Sequence, residues 1–302
     1  MTAGGEGGRW RLILGTATFA AWAGPSLVGL PLAGLLIAAR PRSAAEWSAA
    51  VGVGVVSLGL LLLPASDLLT GFVRAYTVLL AAAFVAVTLF ATAHESLLQR
   101  AVRAGLIAGV AAVALARVSL GGSVWDALHW EARRQASATM RVMVELAPQA
   151  FPVYEPVVRF VSDTVPATLA LQTLAGLALA WQWHRRVARS PFAPPLAPFR
   201  EFRFGDHWVW AIVVALVAWI TPVVAGVKLA ALNLVAVLGT LYLIRGIAIV
   251  AAFSGALGVA PAALVIGAVG VLLTAAVALP LLAALGVTDT WLEFRRRLKA
   301  PA

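Results

Sequence analysis

One arginine sits inside a stretch of chain that has no other charge. Arg245 lies within NLVAVLGTLYLIRGIAIVAAF, some distance from either end. A guanidinium at membrane depth costs at least ~2.5–3.5 kcal/mol on insertion scales, so such a residue faces a polar cavity or pairs with an acid. The plainer alternative is a shallow position, with the side chain snorkelling or the helix ending near Gly246. Asn233 and Tyr242 are on the same run. If they share a face with Arg245, the three form a binding site for a small molecule; if not, they are polar contacts between helices. Arg245, Asn233 and Tyr242 are therefore the candidate substrate-binding residues.

A second set lies in the Pro-rich stretch SPFAPPLAPFREFRF, which proline keeps extended. There Phe199, Arg200, Phe202 and Arg203 are candidate contacts for a protein partner, with plain lipid anchoring as the alternative. Catalytic patterns are missing: the chain has no phosphate-binding loop, no HExxH, no GxSxG and no paired acids within a span. It has no cysteine, which excludes disulfides, thiol catalysis and cysteine-ligated metals. His94, His129, His184 and His207 stand at span ends or in polar segments, none four apart on one helix, and read as interfacial residues. Asp206 before His207 reads as a helix N-cap. Asp67 and Arg74 read as a surface pair worth only ~0–1 kcal/mol. The expectation is a protein that is not an enzyme, with no catalytic residue, metal or cofactor.

The elements that must position these residues are apolar. Hydrophobic residues make up 62% of the chain and charged residues 12%, with mean hydropathy +0.92; a soluble domain would be roughly 25% charged. Runs such as WAIVVALVAWITPVVAG and ALVIGAVGVLLTAAVALPLLAALGV read as transmembrane helices. The 302 residues hold about eight or nine of them, an all-α polytopic bundle forming one integral membrane domain over 1–302. The net charge of +10 gathers at the ends of apolar runs. That pattern fits the positive-inside rule and contact with anionic lipid, not nucleic acid.

Along the chain, Leu12 to Ala39 is broken at Gly24-Pro25 and again at Pro31, and reads as a hairpin that keeps Arg9, Arg11, Arg40 and Arg42 on one side. Glu46 to Leu63, Phe72 to Ala93 and Ala104 to Leu120 follow as spans. Residues 123–148 carry Val124, Leu128, Ala132 and Gln135 near one face, then Thr139, Val142, Met143 and Leu146. This is an amphipathic interfacial helix with Trp125 and Trp130 at headgroup depth. Thr164 to Trp183 ends in Trp181, Trp183 and arginines, an interfacial anchor. Residues 184–206 form a basic, Pro-rich cytoplasmic loop. His207 to Ala225 and Leu229 to Phe253 are further spans. A single last helix over Pro261 to Val287 would leave Arg295 to Arg297 outside, so either Pro280 breaks that block or an earlier span is miscounted. Small-residue pairs such as Ala17 with Ala21, Ala20 with Gly24 and Gly105 with Gly109 would permit close packing.

The order of these features resembles the YybS-like family of bacterial membrane proteins over nearly the whole chain. The resemblance rests on Leu30, Pro31, Leu32 and Arg40, on the span at Pro166, and most specifically on PLAPFREFRFGDHWVW. It continues in NLVAVLGTLYLIRGIAIV and in the tail, with Gly286, Asp289, Trp291, Phe294 and Arg295. Members commonly carry Gln where this chain has Arg245. The family is distantly similar to the S components of energy-coupling-factor vitamin transporters, small helical bundles that bind a substrate and work with a partner. The resemblance implies an S-component-like architecture in the bacterial inner membrane and a small-molecule-binding or transport-related subunit. The competing expectation is a membrane scaffold that recruits cell-envelope or cytosolic partners. No vitamin-binding motif carries over onto positions of this chain. A transport role would need an ATPase on another chain, since this one has no phosphate-binding loop.

Overall fold

In a computed structural model the protein is described over residues 4–65, 67–92, 95–192, 194–222 and 224–297. His94 lies outside the described residues. The helices are α1 (Gly4–Ala23), α2 (Ser26–Ala38), α3 (Ala44–Leu62), α4 (Leu68–Phe90), α5 (Leu97–Leu120), α6 (Val124–Leu146), α7 (Tyr154–Asp163), α8 (Val165–Val187), α9 (Trp208–Ile220), α10 (Ala225–Ala256), α11 (Pro261–Leu273), α12 (Ala275–Leu292) and α13 (Phe294–Arg297). Only a helix satisfies every backbone group within a single apolar segment, which is why such runs take this form. Among the described residues, α3, α4, α5, α10 and α12 are long and apolar enough to cross a membrane; α7 and α8, bent by 56°, add a sixth crossing if they count as one. The helices α2, α9 and α11 are apolar but shorter. The protein is thus a polytopic helical membrane protein. Within the basic loop the chain divides into two compact units, residues 1–196 and 197–302, where the sequence suggested one domain.

In the first unit α2 packs against α3, α4 and α8, and α4 packs against α5. Its core gathers Leu27, Leu35, Leu80, Phe84, Leu177 and Trp181. From α5 it receives Ala101, Ala104, Ala108 and Ala112, all buried. Their spacing puts four small side chains on one face, so α5 lies close to its neighbours. This seam does the work expected of Gly105 and Gly109: a Cβ added at Gly109 would meet nothing, and Ala17 and Ala21 are exposed. Tyr76 and Thr173 share a buried 2.8 Å hydrogen bond that ties α4 to α8.

Helix starts follow local chemistry. Ser43 and Ser96 form capping boxes with Glu46 and Gln99, Ser123 caps α6, and Asp67 accepts from the Thr70 amide at 2.7 Å. Arg74 donates to the carbonyls of Leu61 and Leu63 at the end of α3. The break at Gly24 is present, with φ +85. However, α1 packs on α8 while α2 packs on α3, α4 and α8, so the two segments do not form the expected hairpin. Helix α2 runs unbroken through Pro31. The last apolar block breaks at Thr274, not at Pro280. Starting α12 at Ala275 places Pro280 in its second turn, where the ring forfeits a single hydrogen bond.

The amphipathic segment is a helix as expected, with Val124 and Ala132 buried and Trp125 and Trp130 exposed. Val142, Met143 and Leu146 of the same stripe remain exposed. Trp181 departs from the expected interfacial role. It is buried edge-on to Phe84, at 6.1 Å between ring centroids, because α8 turns that face toward α4 and not outward. His184, one turn on, is likewise fully buried and packs on Phe192. His129 bonds Asp163 at 2.8 Å, linking α6 to the end of α7.

Helix α8 crosses α2 at Gly176, where a Cβ would come 3.0 Å from the Leu27 carbonyl oxygen and 3.2 Å from the Phe19 ring. Gly176→Leu should destabilise the protein by about 1–3 kcal/mol, the usual cost of overpacking. Gly59→Leu, where a Cβ meets nothing, should leave the midpoint of thermal unfolding in detergent unchanged or higher.

Candidate functional site

The second unit is organised on α10, which packs against α9 and α12. At 32 residues α10 is about 48 Å long, well over the ~30 Å hydrocarbon core of a bilayer. Its contact with α12 is a backbone contact. A Cβ at Gly246 would overlap the Leu282 carbonyl, and a Cβ at Gly286 would overlap the Tyr242 carbonyl. The order of these contacts, Tyr242 with Gly286 and Gly246 with Leu282, makes the two helices antiparallel. Glycine is the only residue that allows such an approach.

That approach brings Arg245 of α10 to Asp289 of α12. Arg245 Nε donates to Asp289 Oδ2 at 3.0 Å, and Nη1 to Asp206 Oδ1 at 3.1 Å. Arg295 of α13 donates from Nη2 to the same Asp289 Oδ2 at 2.9 Å. The side chains of Arg245, Asp289 and Arg295 are 1%, 0% and 10% exposed, whereas that of Asp206 is 64% exposed. Two guanidiniums and two carboxylates leave the cluster with no formal net charge. The burden of carrying Arg245 in an apolar helix is thus met by paired acids. The Phe204 ring lies under the Arg245 guanidinium at 5.8 Å and edge-on to Tyr242 at 4.9 Å.

The same cluster holds the segment that precedes α9. Arg295 Nη1 donates to the carbonyls of Arg200 and Phe202, each at 3.0 Å. Phe204 is buried beneath Arg245, and Asp206 is tethered to it. Phe199 is 52% exposed, Arg200 and Arg203 are exposed, and Phe202 is half-buried. The backbone of 200–206 is therefore fixed from within, while most side chains face outward.

Of the sequence-derived candidates, Tyr242 and Arg245 are brought together, one turn apart and both buried. Asn233 is not with them. It stands twelve residues earlier, about 18 Å along the helix, and its amide donates to the Leu229 carbonyl at 2.9 Å. Phe199, Arg200, Phe202 and Arg203 lie together beside the ion cluster. Asp206 does not cap α9, whose first turn is preceded by His207 without a side-chain cap. Its carboxylate reaches Arg245 instead, because a buried guanidinium outcompetes solvated amides for it. Asp289, Arg295 and Phe204 were missed as site residues. The available signal was a lone acid in an apolar run three residues after a glycine, matching an arginine beside a glycine on another run.

Because Asp289 pairs with two buried arginines and Arg245 with two acids, the variants should differ in severity. Asp289→Asn takes the one acid from the buried Arg295 and leaves Arg245 only the exposed Asp206, and should cost about 3–5 kcal/mol. Arg245→Leu leaves Asp289 paired with Arg295 and should cost clearly less. Chemical or thermal unfolding of the two proteins in detergent ranks them, and equal losses would contradict the shared role of Asp289.

Residues 26–290 match the model of a family described as Predicted membrane protein (DUF2232). The matched region contains Asp206, Arg245 and Asp289 and ends before Arg295. No curated protein and no solved structure matches the chain.

Proposed function

The chain belongs to the DUF2232 family of predicted membrane proteins, and on that premise we propose a non-catalytic protein of the bacterial inner membrane that presents a fixed loop surface to a protein partner. The observation that carries this reading is the fastening of 200–206 by the buried cluster: Arg295 grips the loop carbonyls while Phe199 and Arg203 are left to solvent and the exposed Arg200 rests its guanidinium on Gly255 of α10. A segment held in one conformation loses little entropy on association, so its contacts count in full toward affinity. An exposed aromatic beside two arginines suits a partner with an apolar pocket flanked by carboxylates.

A second reading keeps the S-component-like role, with a small molecule bound at the cluster. Two observations favour it. Asp206 is the exposed member of the cluster and could be displaced from Arg245 by the carboxylate of a ligand. In addition, Asp289 loads both its bonds on Oδ2 and leaves Oδ1 buried without a partner among the described residues. Likeness of architecture to S components is an analogy and does not by itself assign a substrate.

The test is capture from native membranes with the tagged full-length protein. Phe199→Ala with Arg203→Glu should lower partner recovery at least tenfold, as loss of an interface anchor does, with expression and thermal stability intact. Undiminished recovery would sink the docking reading. A thermal shift on adding small carboxylates, lost in Arg245→Leu and kept or enlarged in Asp206→Ala, which removes the competing carboxylate, would favour the ligand reading in its place.

A further inference from the structure

A separate feature lies in the first unit, at the turn between α2 and α3. A small cleft is lined by Leu36, Ala39, Arg40, Pro41, Arg42, Glu46, Ala188 and Ser190. We propose that this cleft binds the phosphate oxyanion of an anionic phospholipid headgroup through Arg40 and Arg42.

Three observations carry the proposal. Arg40 follows the end of α2 with φ +55, the left-handed conformation in which helices normally end on glycine. A guanidinium has been placed where backbone geometry favours having no side chain. Next, neither Arg40 nor Arg42 has an ion-pair partner among the described residues, and both are exposed.

The acid in the cleft does not answer them. Glu46 Oε2 accepts from the Arg42 and Ser43 amides at 2.8 and 3.1 Å and from the Ser43 hydroxyl at 3.2 Å, while Oε1 accepts from the Arg189 amide at 2.7 Å. Its charge is taken up by backbone and hydroxyl donors, which leaves the two guanidinium groups as free anion receptors.

The choice of phosphate on a lipid follows from location. The turn joins α2 to α3, and α3 is long and apolar enough to cross a membrane, so residues 40–43 stand at a helix end where headgroups lie. The two arginines at its mouth take the oxyanion, and the rest of the lipid lies outside the cleft in the bilayer.

Arg40→Gly makes a clean test, because glycine suits φ +55 and the variant should fold at least as well as the parent. The full-length protein in neutral detergent is titrated with phosphatidylglycerol, with phosphatidylcholine and with inorganic phosphate, and thermal unfolding is followed. Phosphatidylglycerol should raise the midpoint more than phosphatidylcholine. The rise should shrink with added salt, and Arg40→Gly and Arg42→Gln should each reduce it, the double variant abolishing it. Native mass spectrometry should show retained phosphatidylglycerol on the parent and its loss from the double variant. A full phosphatidylglycerol shift in the double variant overturns the site. An equal shift with inorganic phosphate alone overturns the lipid assignment and makes free phosphate the ligand.

Discussion

The second unit depends on a backbone approach that no side chain larger than hydrogen permits. Gly246 and Gly286 bring α10 and α12 together so closely that each lies against a carbonyl of the other helix. Arg245 adjoins the first glycine, and Asp289 stands three residues after the second. With the helices a few ångströms farther apart, the carboxylate would fall out of reach and leave buried charges unpaired. A buried ion pair contributes little net stability compared with a well-packed apolar pair. Its effect here is to select one register. Slipping either helix by one residue turns its side chains by about 100° and takes the charge away from its partner. The glycines make contact possible, and the ion pair decides which contact is made.

The tail is drawn into the same arrangement at a conformational cost. Glu293 has φ +44, a left-handed conformation disfavoured for residues with a side chain by roughly 1–2 kcal/mol. That turn ends α12 and sends the chain back, so that Arg295 reaches Asp289 and two loop carbonyls. Three charge-assisted or carbonyl hydrogen bonds offset the strained residue. The loop before α9, the long helix and the tail thus converge on a single carboxylate, and the outward surface of Phe199, Arg200 and Arg203 inherits its order from a group it never touches.

The helices themselves were legible because they are dictated locally. The apolar runs and the break at Gly24 could be read directly, whereas the caps at Ser43, Ser96 and Ser123 were not used, and the eight or nine spans expected compare with five, or six with the bent pair, among the described residues. Arg245 was legible as a residue requiring compensation, since its cost depends only on its own surroundings. Its partner was not, because Asp289 is 44 residues away, and the acid that follows Gly286 points to Arg245 only once the glycines of the two runs are matched to each other. Asp206 shows how a sound local rule is overridden: the residue has the identity of an N-cap, but it stands one residue before the cap position and its carboxylate binds a buried cation. Trp181 and His184 were misread for the reverse reason. Neighbouring arginines suggested an interface, while the face that α8 presents to α4 is set by packing with α2 and α5, which sequence order does not reveal.

The two units handle a buried guanidinium differently. In the second, Arg245 is neutralised by carboxylates. In the first, Arg100 is almost fully buried with no acid bonded to it among the described residues; it donates to the Thr92 carbonyl at 3.1 Å and lies over the Trp181 ring at 5.6 Å. A carbonyl and a π face stabilise the cation without cancelling its charge. The carboxylate arrangement removes the field of Arg245 and leaves geometry as its contribution. The aromatic arrangement preserves positive charge inside the first unit, which also carries the unpaired arginines of the α2–α3 turn. The charge of Arg100 is therefore kept inside the first unit, whereas that of Arg245 is cancelled inside the second, where an unpaired charge would disturb the register of two helices.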